Sequence, residues 1–144
     1  MYYGQESFLT GGNDPFNREA LWDYGYAGND LIKTLNKVRR VAISKDSKFV
    51  TTLSSYLYHD DFQIFYQKGQ LLVGLNGQSK QRNVSPYDLT VQGTTYVAGD
   101  VLVEVLSCQS VTAGSGQVVV NMKDGAPVVL LPKTVLSGSG ICNL

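Results

Sequence analysis

Hydrophobic positions divide the chain into a lead and a body that obey different periods. Over residues 1–28 they obey none. Tyr2, Tyr3, Phe8, Phe16, Trp22, Tyr24 and Tyr26 are scattered among Gly, Asn and Asp, the mixture of a loop-rich surface that carries flat, stiff side chains. Within it, Asn13-Asp14-Pro15 is a helix start: Asn or Asp caps free N–H groups, and proline at the first helical position forfeits no hydrogen bond. A short helix from about Pro15 to Trp22 is expected. Asn29 is the candidate N-cap of a second helix, along which Leu31, Leu35, Val38 and Ala42 recur at helical spacing. Lys37, Arg39 and Arg40 gather near its end, where cations complement the helix dipole.

From Ile43 onward the expected period is two. Phe62–Tyr66 and Leu71–Leu75 flank Lys68-Gly69 and read as a hairpin. Tyr87–Val91 alternates apolar and polar residues. Val101–Leu106 is nearly continuous apolar, as for a strand covered on both faces. Gln117–Met122 and Val128–Leu131 enclose a second turn signal, Lys123-Asp124-Gly125, and turn residues also fill Ala113 to Gly116. Six or more short strands with no helix between them predict a mainly β fold, an antiparallel β-sandwich. The predicted division is residues 1–42 and 43–144. Two helices and a loop-rich lead cannot close a core of their own, so the lead is expected to pack on the sandwich or on a partner.

The 144 residues suit one domain, or one domain with an appendage. At 43% hydrophobic and 17% charged residues, the chain can bury a core. Twelve basic residues balance twelve acidic ones, which removes the electrostatic footprint of a nucleic-acid binder or a polybasic membrane-surface protein. No apolar run approaches a membrane span. The opening MYYGQESFLTGG has neither a basic nor an apolar signal-peptide region.

Single reactive residues add little. His59, the one histidine, precedes Asp60 and Asp61, but neighbours in a strand face opposite ways and no nucleophile motif accompanies them, so a solvated turn is expected. Asn83-Val84-Ser85 is a glycosylation sequon for a secreted chain, weakened by Pro86 directly behind it. Cys108 and Cys142 lie 34 positions apart. A disulfide there would pin the Gly/Ser-rich tail to the sandwich, for about 3–4 kcal/mol by chain entropy, and would favour secretion. Two free buried thiols are the alternative, and neither spacing nor neighbours suit zinc. Asp14 and Arg18 stand four residues apart. They read either as a cap with an intrahelical ion pair or as a carboxylate beside a guanidinium fork. The second arrangement can clasp vicinal sugar hydroxyls, with Tyr2, Tyr3 and Trp22 as stacking faces.

The segments MYYGQE and GGNDPFNREALW, and the helix running into RRVAISKDSKFV, together resemble the C-terminal part of fungal α-amylases of glycoside hydrolase family thirteen. The resemblance covers essentially the whole chain, and GGNDPFNREALW is long and unusual enough to be specific. It implies a lead from the end of a (β/α)₈ catalytic barrel, followed by a Greek-key β-sandwich called domain C. It implies that Asp14 and Arg18 bind glucose units on the non-reducing side of the cleavage point. Glu6 would have a structural role, and Cys108 would pair with Cys142.

By the same resemblance the parent is a secreted, extracellular enzyme that hydrolyses α-1,4-glucosidic bonds of starch or glycogen with retention. Its catalytic carboxylates and its calcium ligands would lie upstream of Met1, since a complete barrel takes about 200 residues or more. This chain would then hold no catalytic carboxylate and no cofactor, would be inactive alone, and would have α-glucan and the missing barrel as partners. The alternatives are a stand-alone, non-catalytic β-sandwich that binds α-glucan or a protein, and a piece of a 4-α-glucanotransferase.

Overall fold

A computed structural model describes residues 4, 7, 9, 12–14, 19–26, 28–78 and 85–144. The chain divides into two compact units, Met1–Lys37 and Val38–Leu144. In the first, Leu21–Tyr24 forms a 3₁₀ turn closed by Gly25 in the left-handed region. Helix α1, Asp30–Lys45, begins behind Asn29. The Asn29 side-chain oxygen accepts the N–H groups of Leu31 at 2.8 Å and Ile32 at 3.4 Å, which satisfies donors the helix itself leaves orphaned.

The second unit is built on eight strands: β1 Ser55–His59, β2 Gln63–Lys68, β3 Leu71–Asn76, β4 Tyr87–Gln92, β5 Val101–Glu104, β6 Gln109–Thr112, β7 Gln117–Met122 and β8 Val128–Pro132. One sheet has the order β1-β2-β3-β8-β5-β6, and the other is the pair β4-β7. All pairings are antiparallel. β3 with β8, β4 with β7 and β5 with β6 are nested pairs, and β5 also lies beside β8. That roll of the nested chain is a Greek-key β-sandwich.

Alternation decides which side chains meet between the sheets. On β7, Val118, Val120 and Met122 are buried while Val119 and Asn121 are exposed. They join Val91 from β4 and Phe65, Leu72, Leu102 and Leu130 from the larger sheet in one apolar cluster. Gly74, opposite Phe65 across β2 and β3, has to be glycine for space, since a Cβ there would collide with the Phe65 ring. β8 is buried at all five positions, and the short helix α2, Lys133–Leu136, packs against β8 and β5. Cys108 and Cys142 are joined by a disulfide that ties the β5–β6 turn to the C-terminal turn.

Four expectations need correction. Glu19 and Ala20 are not helical, Ala20 being extended, so the helix expected from Pro15 to Trp22 does not run through them; residues 15–18 lie outside the described set. The helical period persists past Ile43 to Lys45. The strand expected over 101–106 stops at Glu104, because its carboxylate turns the chain by accepting the N–H groups of Leu106 at 3.3 Å and Ser107 at 2.6 Å. β1 and β6 were not anticipated. A bulge between Tyr56 and Tyr58 breaks the alternation of β1, and β6, at the sheet edge, reads Gln-Ser-Val-Thr, too polar to signal a strand.

Candidate functional site

The sugar-clasp expectation falls mainly on undescribed positions. Asp14 is described, exposed in a turn of the lead. Arg18, Glu6, Asn83, Tyr2 and Tyr3 lie outside the described residues. Later in the lead the structure shows an exposed aromatic run: Trp22 is 67% exposed, and Tyr24 and Tyr26 accompany it at the surface. Gly25 and Tyr26 are consecutive left-handed residues, φ 60° and 55°, which turn the chain sharply at this run. The Tyr24 hydroxyl donates to a Glu19 carboxylate oxygen at 2.5 Å. That bond, with slight desolvation and the charges of Glu19 and Asp23, raises the Tyr24 pKa. The lead therefore presents flat aromatic faces and carboxylate acceptors at its surface.

In the sandwich, His59 ends β1, exposed, with its ring 5.3 Å from that of Tyr56. Asp60 makes the turn that follows. One carboxylate oxygen accepts the N–H groups of Phe62 at 2.8 Å and Gln63 at 2.7 Å, and the other accepts the Tyr58 hydroxyl at 3.0 Å. Slight desolvation pushes the Asp60 carboxyl up, but these hydrogen bonds and the nearby His59 outweigh it, and its pKa is lowered. Gln63 and Tyr87 bond each other across the two sheets. Sequence reasoning missed this polar cluster, although one signal was available: Gln63 alternates in step with Phe65, a polar residue at a core-facing position.

Among the described residues, no group of three or more His, Cys, Asp and Glu is placed to hold a metal ion. No described helix is long and apolar enough to cross a membrane.

Residues 56–144, from β1 to the C-terminus, match the family model for α-amylase, domain C. The chain belongs to the α-amylase domain C family. Outside the family model, α-amylase 1 of Schwanniomyces occidentalis is 44% identical over 99% of this chain and 29% of its own length. An α-amylase of Saccharomycopsis fibuligera is 35% identical over 99% of this chain and 28% of its length. The solved structure of an α-amylase from Malbranchea cinnamomea superposes with a TM-score of 0.90 at 34% identity, covering 99% of this chain and 31% of that one. The chain thus spans a little under a third of the α-amylases it resembles. Those matches run through the lead as well as the domain C sandwich, whereas the family model begins only at Tyr56.

Proposed function

We propose that this chain is the C-terminal part of an α-amylase that hydrolyses internal α-1,4-glucosidic bonds of starch or glycogen with retention. The lead, residues 1–42, would be the last portion of the catalytic barrel and residues 43–144 domain C. The observation that carries this reading is the similarity to fungal α-amylases across the lead and the sandwich together. Asp14 and Arg18 are the sugar ligands in this reading. The carboxylate would accept from and the guanidinium donate to neighbouring hydroxyls of one glucose unit, and Trp22, exposed and four residues after Arg18 in the chain, is a candidate apolar face. The catalytic carboxylates belong to the part of the parent that this chain does not include, so the chain alone is inactive. Its disulfide supports an oxidising, extracellular setting.

The test is kinetic, in the parent enzyme. Asp14→Ala and Arg18→Ala should each lower kcat/KM on maltoheptaose by roughly tenfold to a hundredfold, the range of a lost charged hydrogen bond. Thermal stability should be nearly unchanged. Release of the α-anomer, followed by NMR, would establish retention. Unchanged kinetics in both variants would remove these residues from the substrate site, and a parent that cleaves no α-1,4-glucan would overturn the function.

A further inference from the structure

Two dipeptides in the chain allow a backbone amide to attack the side chain before it, Asn76-Gly77 and Asp124-Gly125. Glycine has no Cβ to shield its amide nitrogen, so both sequences are prone to close a five-membered cyclic imide. In an unstructured chain at neutral pH the asparagine reacts much the faster. The fold reverses that order.

Asn76 ends β3, where both reacting groups are engaged. The Gly77 N–H donates to the Phe62 carbonyl at 2.7 Å, and the Asn76 side-chain oxygen accepts the Gln78 N–H at 2.9 Å. Asn76 also pairs with Gln63 of β2, so rotation of its peptide would break the end of the ladder.

Asp124 and Gly125 are instead the central residues of the turn from β7 to β8. The Ala126 N–H closes it by donating to the Lys123 carbonyl at 2.9 Å. Their φ values, 55° and 68°, make it a type I′ turn. Asp124 is exposed, and among the described residues neither its carboxylate nor the Gly125 N–H has a hydrogen-bond partner. The imide ring needs the aspartate ψ of a type II′ turn, and types I′ and II′ share a positive φ at the first central residue. One flip of the Asp124–Gly125 peptide plane therefore reaches the reactive conformation. It takes Gly125 to negative φ, which glycine adopts as readily as positive. No described hydrogen bond to that peptide has to break.

We propose that Asp124-Gly125 is a modification site that converts spontaneously to isoaspartate, while the fold shields Asn76-Gly77 from the same chemistry. The Gly125 nitrogen loses its proton to water and bonds to Cγ of the protonated Asp124 carboxyl. The bond from Cγ to its hydroxyl breaks, and one water leaves. A second water then opens the imide. Cleavage between the nitrogen and Cγ restores aspartate. Cleavage between the nitrogen and the Asp124 main-chain carbonyl carbon routes the chain through Cβ and Cγ and frees an α-carboxylate. Mass and charge end unchanged, but the main chain gains one atom. That atom enters the turn that feeds β8, which is buried at all five positions. This chemistry does not depend on any activity of the parent.

The test is peptide mapping of the 144-residue chain after long, warm incubation in H₂¹⁸O, folded and in denaturant, in mild acid and at neutral pH. Trypsin releases residues 124–133 and 69–80, in which Asp124 and Asn76 are the only Asp or Asn. From the folded chain, 124–133 should take up heavy oxygen and yield an isoaspartyl isomer, faster in mild acid, where more carboxyls are protonated. At neutral pH, Asn76 should deamidate more than about tenfold slower folded than in denaturant, because reaction waits for the end of β3 to open. Asp124→Glu, which would need a six-membered ring, should abolish the isomer. Asp124→Asn creates a second Asn-Gly pair, which in the folded chain should lose ammonia at least about tenfold faster than Asn76.

Three results would overturn the site. One is an isomer in the denatured chain but none in the folded one, which would mean that the turn protects Asp124. Another is equal ammonia loss from Asn76 and from the Asp124→Asn position in the folded chain. The third is an isomer that survives Asp124→Glu.

Discussion

The two units of the chain differ in whether they bury large apolar side chains at all. From Val38 on, the chain builds a core in which Phe65, Leu72, Leu102 and Met122 are fully buried, although Leu53, Val97 and others stay at the surface. Among the described residues before Val38, no large apolar side chain is buried, and Trp22, Tyr24, Tyr26 and Leu31 are exposed. Hydrophobic stabilisation scales with apolar area removed from water, so one unit carries the stability. The other carries flat faces and acceptors without a core of its own. Substitutions should therefore separate the units cleanly.

The sharpest contrast pairs Phe65→Ala with Trp22→Ala, read by thermal and denaturant unfolding of the 144-residue chain. Phe65 fills the cluster between the sheets and stands opposite Gly74, which has no side chain to fill a void. Its truncation should cost about 3–5 kcal/mol. Trp22→Ala, at a position 67% exposed, should stay within about 0.5 kcal/mol. Comparable losses in the two variants would mean that the lead shares the core, and the comparison would fail.

The disulfide gives the next effect. Cys108 lies on the β5–β6 turn and Cys142 near the C-terminus, 34 residues on. Closing a loop of that length stabilises by about 3–4 kcal/mol on the chain-entropy account. Cys108→Ser should lower the melting temperature under oxidising conditions, and reductant should bring wild type down to the variant. A difference that survives in reductant would show that the bond is not the cause.

Glu104 comes third. It ends β5 by accepting the N–H groups of Leu106 and Ser107, and it also accepts the N–H of Val129 on β8 at 3.1 Å. Glu104→Ala strands these donors and should cost about 1–3 kcal/mol. Hydrogen exchange should accelerate at Val129 and over 105–108 but not in α1. Unchanged protection at those amides would mean that water replaces the carboxylate at no cost.

The same contrast governs what the sequence made legible. Strands on the inner cluster announce themselves, because burial on one face forces alternation: β7 is bounded by Gln117 and Met122 as expected, and β3 and β8 fall within a residue of their expected ends. β1 and β6 stayed hidden. A bulge shifts the phase of one, and the other needs few apolar residues at an edge. The lead was legible in another way, since GGNDPFNREALW carries a family resemblance that no periodicity supplies. The Gln63 cluster needed three dimensions. Tyr58, Asp60 and Tyr87 look like ordinary surface residues until the fold links Tyr58 to Asp60, Asp60 to the Gln63 backbone and Tyr87 to the Gln63 amide.

The smallest effect tests whether an exposed charge adds anything to the sandwich beyond its packing. Asp60 has a pKa below the ordinary carboxylate value in the folded chain. The ionised form is therefore favoured by folding. Its contribution is present above the unfolded pKa, about 3.9, and is lost as pH falls through the lower folded value. Because the residue is exposed, the gain should stay under about 1 kcal/mol. Asp60→Asn keeps an oxygen to accept the Phe62 and Gln63 N–H groups while removing the charge. The stability gap between wild type and Asp60→Asn should be flat from neutral pH to about pH 4 and close in stronger acid. A gap that persists at the acid end would assign the effect to turn geometry instead of ionisation. The sandwich would then owe its stability margin over the lead to packing and the disulfide alone.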